Sequence, residues 1–240
     1  MTQTSVPGVV ALVFDVFGTV VDWRSSIIRE LEAFGRERNI VADWTALADA
    51  WRAGYQPSME RVRKGERSWT VIDDLHRETL EALLPQFGVT SLSGSEIVHL
   101  VHAWHRLDPW PDAVAGLTRL KRRYTIGTLS NGNVALLLNM AKHAGLPWDM
   151  IFSAELARAY KPAPEAYRSV PNFLRIEPRK IMLVAAHNND LVAAQREGLR
   201  TAFVARPTEY GPHQSRDFKA EHDFDVAAPD FIQLAELMGA

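Results

Sequence analysis

Four short apolar runs, "VVALVF" (9–14), "YTIGTLS" (124–130), "KIMLVAA" (180–186) and "RTAFVA" (200–205), are each bounded by polar or turn residues, as strands buried on both faces are. Helix-period segments lie between them. "NVALLLNMAKHAG" closes at Gly145 and "LVAAQREG" closes at Gly198. The alternation of strand and helix from residue 111 onward predicts an α/β fold, a parallel sheet wrapped by helices. Ligands of such sheets bind beyond the carboxyl ends of the strands. From Trp23 to about Leu107 the period changes. Ile27, Ile28, Leu31 and Phe34 mark one amphipathic helix; Trp44, Leu47, Ala48 and Trp51 mark a second; "WTVIDDLHRETLEALLPQFG" (69–88) adds more helix, and no strand signal intervenes. The pattern predicts a discontinuous core, residues 1–22 and 108–240, with an all-helical insertion over 23–107. The chain leaves the core near Asp22 and returns through "DPWPD", stiffened by Pro109 and Pro111. An insertion at that point would cap a site at the sheet edge. Pro171 kinks or divides the helix expected in "EAYRSVPNFLRI".

Composition narrows the classes. With 240 residues, 47% of them hydrophobic, the chain can bury a sizeable core. Its 27 basic and 29 acidic residues give a net charge of -2, with no basic stripe for nucleic acid and no acidic tail. The start, "MTQTSVPG", lacks a leader pattern, and no apolar run approaches a membrane span, so a cytoplasmic protein without membrane or nucleic-acid partners is expected. The absence of cysteine excludes disulfides, thiolate metal sites and a cysteine nucleophile.

Polar residues that an apolar fold does not require stand at four predicted strand ends: Asp15, the pair Ser130 and Asn131, Lys161 in "YKPAPEAY", and Asp190 in "AAHNND". Each alone has a bland explanation: Asp15 as a cap, Ser130 and Asn131 as turn formers, Lys161 as a solvated charge, Asp190 as a helix N-cap. Together at one sheet edge they favour a site.

In these positions the chain resembles the haloacid dehalogenase superfamily, whose four motifs match "FDVFGT", "LSN", "KP" and the acidic "HNND" loop in order. The resemblance implies a Rossmann-like parallel sheet core with an inserted helical cap, an Asp15 nucleophile, and Ser130 and Lys161 as charge-handling groups. Most members are phosphatases. Their first motif carries a second acid two residues after the nucleophile, where this chain has Phe17, which cannot donate a proton. Their fourth motif supplies paired acids for magnesium; here Asp190 is the loop's lone carboxylate. A halide leaves as an anion and needs no proton. The chain is therefore more similar to the L-2-haloacid dehalogenase branch, with no metal or other cofactor. That likeness also matches Arg52, in "DAWRAGY", to the cap arginine aimed at the departing halide, and it includes Asn131 and Tyr167. Ala185, His187 and Asn189 depart from the branch's fourth loop. His187 either replaces the lost polar group, as a neutral imidazole able to accept a proton near pH 7, or only buttresses the loop.

The implied reaction is displacement at C2 of a short 2-haloalkanoate by Asp15, giving an aspartyl ester that water then cleaves, with inversion of an (S)-substrate. Two carboxylates about 4 Å apart repel by about 4 kcal/mol at an effective dielectric of roughly 20. Lys161, itself held by Asp190, and Arg52 are the available remedies. Ser130 and the backbone of the turn at Val16 and Phe17 would receive the substrate carboxylate, with Tyr167 nearby; Arg52 and Asn131 would meet the halide. The partners are thus a small 2-haloacid and a halide ion, and a homodimer is compatible with the apolar surfaces. Two rivals stand: a magnesium-dependent phosphatase using Asn188 or Asn189 as poor ligands, and a non-catalytic binding protein that keeps the fold.

Overall fold

The computed structural model describes residues 6–240; residues 1–5, part of the expected 1–22 core segment, lie outside them. Six parallel strands form the main sheet: β1 (Ala11–Phe14), β4 (Thr125–Ser130), β5 (Met150–Ser153), β6 (Ile181–Ala185), β7 (Arg200–Val204) and β8 (Val226–Ala228). Their order is β5-β4-β1-β6-β7-β8, so β1 is central and the winding reverses beside it. The remaining strands, β2 (Val21–Asp22) and β3 (Asp108–Pro109), pair antiparallel, bringing together the two places where the sequence predicts exit and return.

Alternate residues of β1 enter different apolar clusters, as a strand covered on both faces requires. Leu12 and Phe14 join one and Ala11 and Val13 the other. Helices α6 (Ala113–Lys121), α7 (Val134–Ala144), α8 (Ala154–Ala157), α9 (Pro164–Leu174), α10 (Asn188–Arg196) and α11 (Phe231–Leu237) follow the strands. Pro171 sits inside α9, which continues through it as one helix.

Between β2 and β3 the regular structure is helical: α1 (Trp23–Arg38), α2 (Trp44–Ala53), α3 (Tyr55–Arg63), α4 (Ile72–Leu83) and α5 (Gly94–Val101). Asp22 begins α1 by accepting from the Ser25 amide at 3.0 Å, and Asp43 begins α2 by accepting from Ala46 at 2.9 Å. In α2, Trp44, Leu47, Ala48 and Trp51 are buried, the one-face spacing of an amphipathic helix. These helices share a continuous apolar cluster with the sheet face through Val16, Phe17, Trp23 and Trp104. Among the described residues no helix is long and apolar enough to cross a membrane.

Candidate active site

Register fixes where the polar residues emerge. Phe14 pairs with Thr128 on one side and Val184 on the other, so the chain leaves β1, β4 and β6 at one edge. Asp15, Ser130 with Asn131, and His187 stand there, next to the point of reversed winding where open α/β sheets bind ligands.

Asp15 is nearly buried, and both its oxygens are held. The Lys161 ammonium donates to Oδ1 at 2.9 Å and to Asp190 Oδ2 at 2.5 Å. Tyr167 donates its hydroxyl to Asp190 Oδ1 at 2.7 Å. Thr19 donates to Asp15 Oδ2 at 2.9 Å, and its oxygen accepts from the Ala186 amide at 2.9 Å. His187 Nδ1 lies 3.1 Å from the same Oδ2, while its Nε2 lies 2.9 Å from Glu209 Oε2. Burial pushes the Asp15 carboxyl upward, but Lys161 and His187 outweigh it and hold the group well below the usual carboxylate range. Burial opposes the charge on Lys161, and Asp15 with Asp190 raises it above an ordinary lysine.

His187 joins the site, and its surroundings oppose the proton-accepting role. Burial disfavours its cation, yet Glu209 and Asp15 raise it well above an ordinary histidine, and a carboxylate oxygen at each ring nitrogen favours the imidazolium over a neutral ring. Asp190 differs from its bland explanation: α10 begins at Asn188 with His187 at the N-cap position, and the Asp190 carboxylate turns instead to Lys161 and Tyr167.

Asn131 accepts from the Lys161 backbone amide at 2.8 Å, tying the β4 loop to the lysine loop. Ser130 is buried, its oxygen accepting from the Gly132 amide at 3.2 Å. The Val16 side chain belongs to the core, and its carbonyl accepts from Val20 and Val21, closing the turn. The Phe17 ring meets Tyr55 edge-on at 6.1 Å and Trp104 at 5.9 Å, an apolar wall between sheet edge and helices. Arg52 stands outside the direct hydrogen-bonded chain. Its guanidinium lies 4.3 Å from the Tyr55 ring centroid and 5.3 Å from that of Trp23, with Nη1 buried and without a partner among the described residues. A cavity of about 400 Å³ opens beside it, lined by Trp23, Tyr55, Tyr210 and Arg216 among others.

The magnesium that the phosphatase likeness would imply does not fit this donor set. Asp15 and Asp190 share an ammonium, the second Asp15 oxygen faces an imidazolium, and Phe17 replaces the second acid. Asn188, a ligand in the rival reading, spends its side chain on Asp217, Lys219 and the Glu221 amide.

Sequence reasoning assigned no role to Thr19 and missed Glu209. Thr19 lies inside the quoted "FDVFGT" and was legible as a turn residue only. Glu209 is 1% exposed and also accepts from Trp23 Nε1 at 3.2 Å. Gly18, at φ +83°, lets the nucleophile turn close over it: a Cβ there would lie 2.1 Å from Glu209 Oε1.

The family model "haloacid dehalogenase-like hydrolase" matches residues 9–198. A curated relative, the (S)-2-haloacid dehalogenase of Xanthobacter autotrophicus, is 31% identical over 82% of this chain and 75% of its own. The crystal structure of a defluorinating L-2-haloacid dehalogenase is 45% identical with a TM-score of 0.96, covering 100% of both chains. Another L-2-haloacid dehalogenase structure is 48% identical with a TM-score of 0.94, covering 97% of this chain and 99% of that one.

Proposed function

The chain belongs to the haloacid dehalogenase-like hydrolases, and from that premise we infer that it is an (S)-2-haloacid dehalogenase, a hydrolase acting on carbon–halogen bonds. The observation that carries the mechanism is an Asp15 carboxylate held ionised by the Lys161 ammonium, with Phe17 where a proton donor would otherwise stand.

Asp15 attacks C2 of a short 2-haloalkanoate. The carbon–halogen bond breaks, halide leaves with the bonding pair, and an aspartyl ester forms. The nucleophile is Oδ1, because Oδ2 already accepts from two protein donors whereas, among the described residues, Oδ1 accepts only from Lys161 and keeps a lone pair for attack. Ser130 and the backbone at Val16 and Phe17 receive the substrate carboxylate. Arg52 and Asn131 meet the departing halide; the unpartnered Nη1 supports that role, since a buried donor without an acceptor gains most from an arriving anion. Phe17 excludes water during displacement. The helical stretch 23–107 serves as a cap over the core formed by the rest, and Tyr55 links Arg52 to Phe17 across that junction.

Halide release from (S)-2-chloropropionate, its enantiomer and fluoroacetate, with a metal chelator present, tests the assignment. Fluoroacetate is included because the 45% identical relative is defluorinating. Release from the (S)-substrate, undiminished by chelator and yielding the inverted hydroxyacid, is expected. Silence on every haloacid, or phosphoester hydrolysis that rises with magnesium, would overturn it.

A further inference from the structure

The dehalogenase mechanism above uses Asp15, Lys161 and Arg52 but leaves a second buried charge pair unexplained. His187 and Glu209 lie behind the nucleophile, on the oxygen turned away from Lys161. Each ring nitrogen faces a carboxylate oxygen, so both carry hydrogens; a neutral ring would set a nitrogen lone pair against an oxygen lone pair. Glu209 is itself fixed. Trp23 donates to its other oxygen, and its loop is tied down by Arg206, which donates to the Thr19 carbonyl at 2.9 Å and grips Asp112 with two hydrogen bonds.

We propose that the His187 imidazolium, positioned by Glu209 and assisted by the Thr19 hydroxyl, is the oxyanion site for hydrolysis of the aspartyl ester. The proposal rests on the dehalogenase reading. With Oδ1 alkylated, Oδ2 becomes the ester carbonyl oxygen, and its two donors are already in place. Water attacks Cγ, releasing one proton to solvent, and the carbonyl electron pair moves onto Oδ2. The Cγ–Oδ1 bond then breaks; the departing alkoxide takes the second water proton with Lys161 as relay. The oxygen from water completes the new Asp15 carboxylate. Donors aimed at the position where charge develops act most strongly in a dry, preorganised site.

Glu209 is thus a positioning residue. The charged groups around His187 are Asp15 and Glu209 in direct contact, Lys161 beyond Asp15, and Arg52, whose charge acts on both Glu209 and Asp15. Glu209→Gln keeps the shape and withdraws the charge that sustains the imidazolium. A rapid-quench experiment with (S)-2-chloropropionate then separates the two half-reactions. The first equivalent of halide should appear at the wild-type rate or faster, because Asp15 loses a competing cation. Hydroxyacid release should slow by roughly tenfold to hundredfold, the weakened form of the larger loss seen when an oxyanion donor is removed outright. Intact-mass measurement should show the ester accumulating, and hydroxyacid release should fall as pH rises between about 6 and 8, where a His without its carboxylate partner loses its proton. His187→Gln should accumulate ester at every pH. Equal loss of both half-reactions with an unchanged pH profile would mean a merely structural role. Faster hydroxyacid release at neutral pH would mean that His187 acts as a base. Either outcome overturns the proposal. Absence of halide from the wild type would instead strike the dehalogenase reading.

Discussion

Replacing Lys161 by methionine keeps most of the side-chain volume and removes the cation between two buried carboxylates. Asp15 and Asp190 both contact Nζ, at 2.9 and 2.5 Å, which brings their nearest oxygens within about 5 Å of one another. At an effective dielectric of roughly 20 the lost attraction on Asp15 is about 6 kcal/mol; the repulsion between the two carboxylates, about 3 kcal/mol, is the same with or without the lysine. One pKa unit corresponds to about 1.4 kcal/mol, so the lost attraction raises Asp15 by roughly four units, from far below the carboxylate range into the weakly acidic range. The group must be ionised to attack. The Lys161→Met halide burst should therefore fall about tenfold per pH unit as pH drops below the new value, where the wild-type burst stays level. Adding Asp190→Asn removes the repulsion alone, and about 3 kcal/mol lowers that value again by roughly two units, so at acidic pH the double variant recovers up to roughly a hundredfold. Quenched-flow halide measurements over about pH 4–8 provide the assay. A pH-independent Lys161→Met enzyme, or a double variant no faster than the single, would refute the electrostatic role given to the lysine.

Arg52→Ala should lower kcat by about a hundredfold or more while changing KM little, because the halide's charge grows only in the transition state; steady-state kinetics with chloro- and bromo-substrates check it, and a pure KM effect would contradict it. His76 is buried against Trp104 at 4.4 Å, with neither ring nitrogen paired among the described residues, and burial holds it at about 3. The unfolded chain takes up a proton below about 6.5 that the folded state refuses, so this contribution is present above that pH and is lost as pH falls toward 3. Urea denaturation should show wild type losing about 2 kcal/mol more than His76→Phe between pH 7 and pH 5.

The central strands were legible because β1, β4, β6 and β7 are continuous apolar runs covered on both faces. The outer strands were not. β5 is half exposed along "MI" and β8 is three residues long, so neither shows a pattern that local composition can separate from a loop. Of the site, Asp15, Ser130, Lys161 and Asp190 stood out as polar groups at strand ends, and Phe17 as an apolar residue where likeness to phosphatases asks for an acid. The charge state of His187 could not be read from "HNND", because it is set by Glu209, which lies in another loop. That glutamate, in "RPTEYGP", has no periodic or motif signal. Its burial comes from tertiary contacts alone: the close approach of Gly18 and the indole of Trp23. Helix α3 and Tyr55 escaped notice for a related reason, since what makes Tyr55 matter is its position between Phe17 and Arg52.

Isotope tracing in one turnover reaches the covalent chemistry most directly. With enzyme in excess over (S)-2-chloropropionate in heavy-oxygen water, the label should appear in the peptide containing Asp15 and be absent from the first hydroxyacid released, because water attacks the ester at the enzyme's carbon. Label found in that hydroxyacid, with none in the peptide, would mean that water displaces halide from the substrate itself and that Asp15 never bonds to carbon.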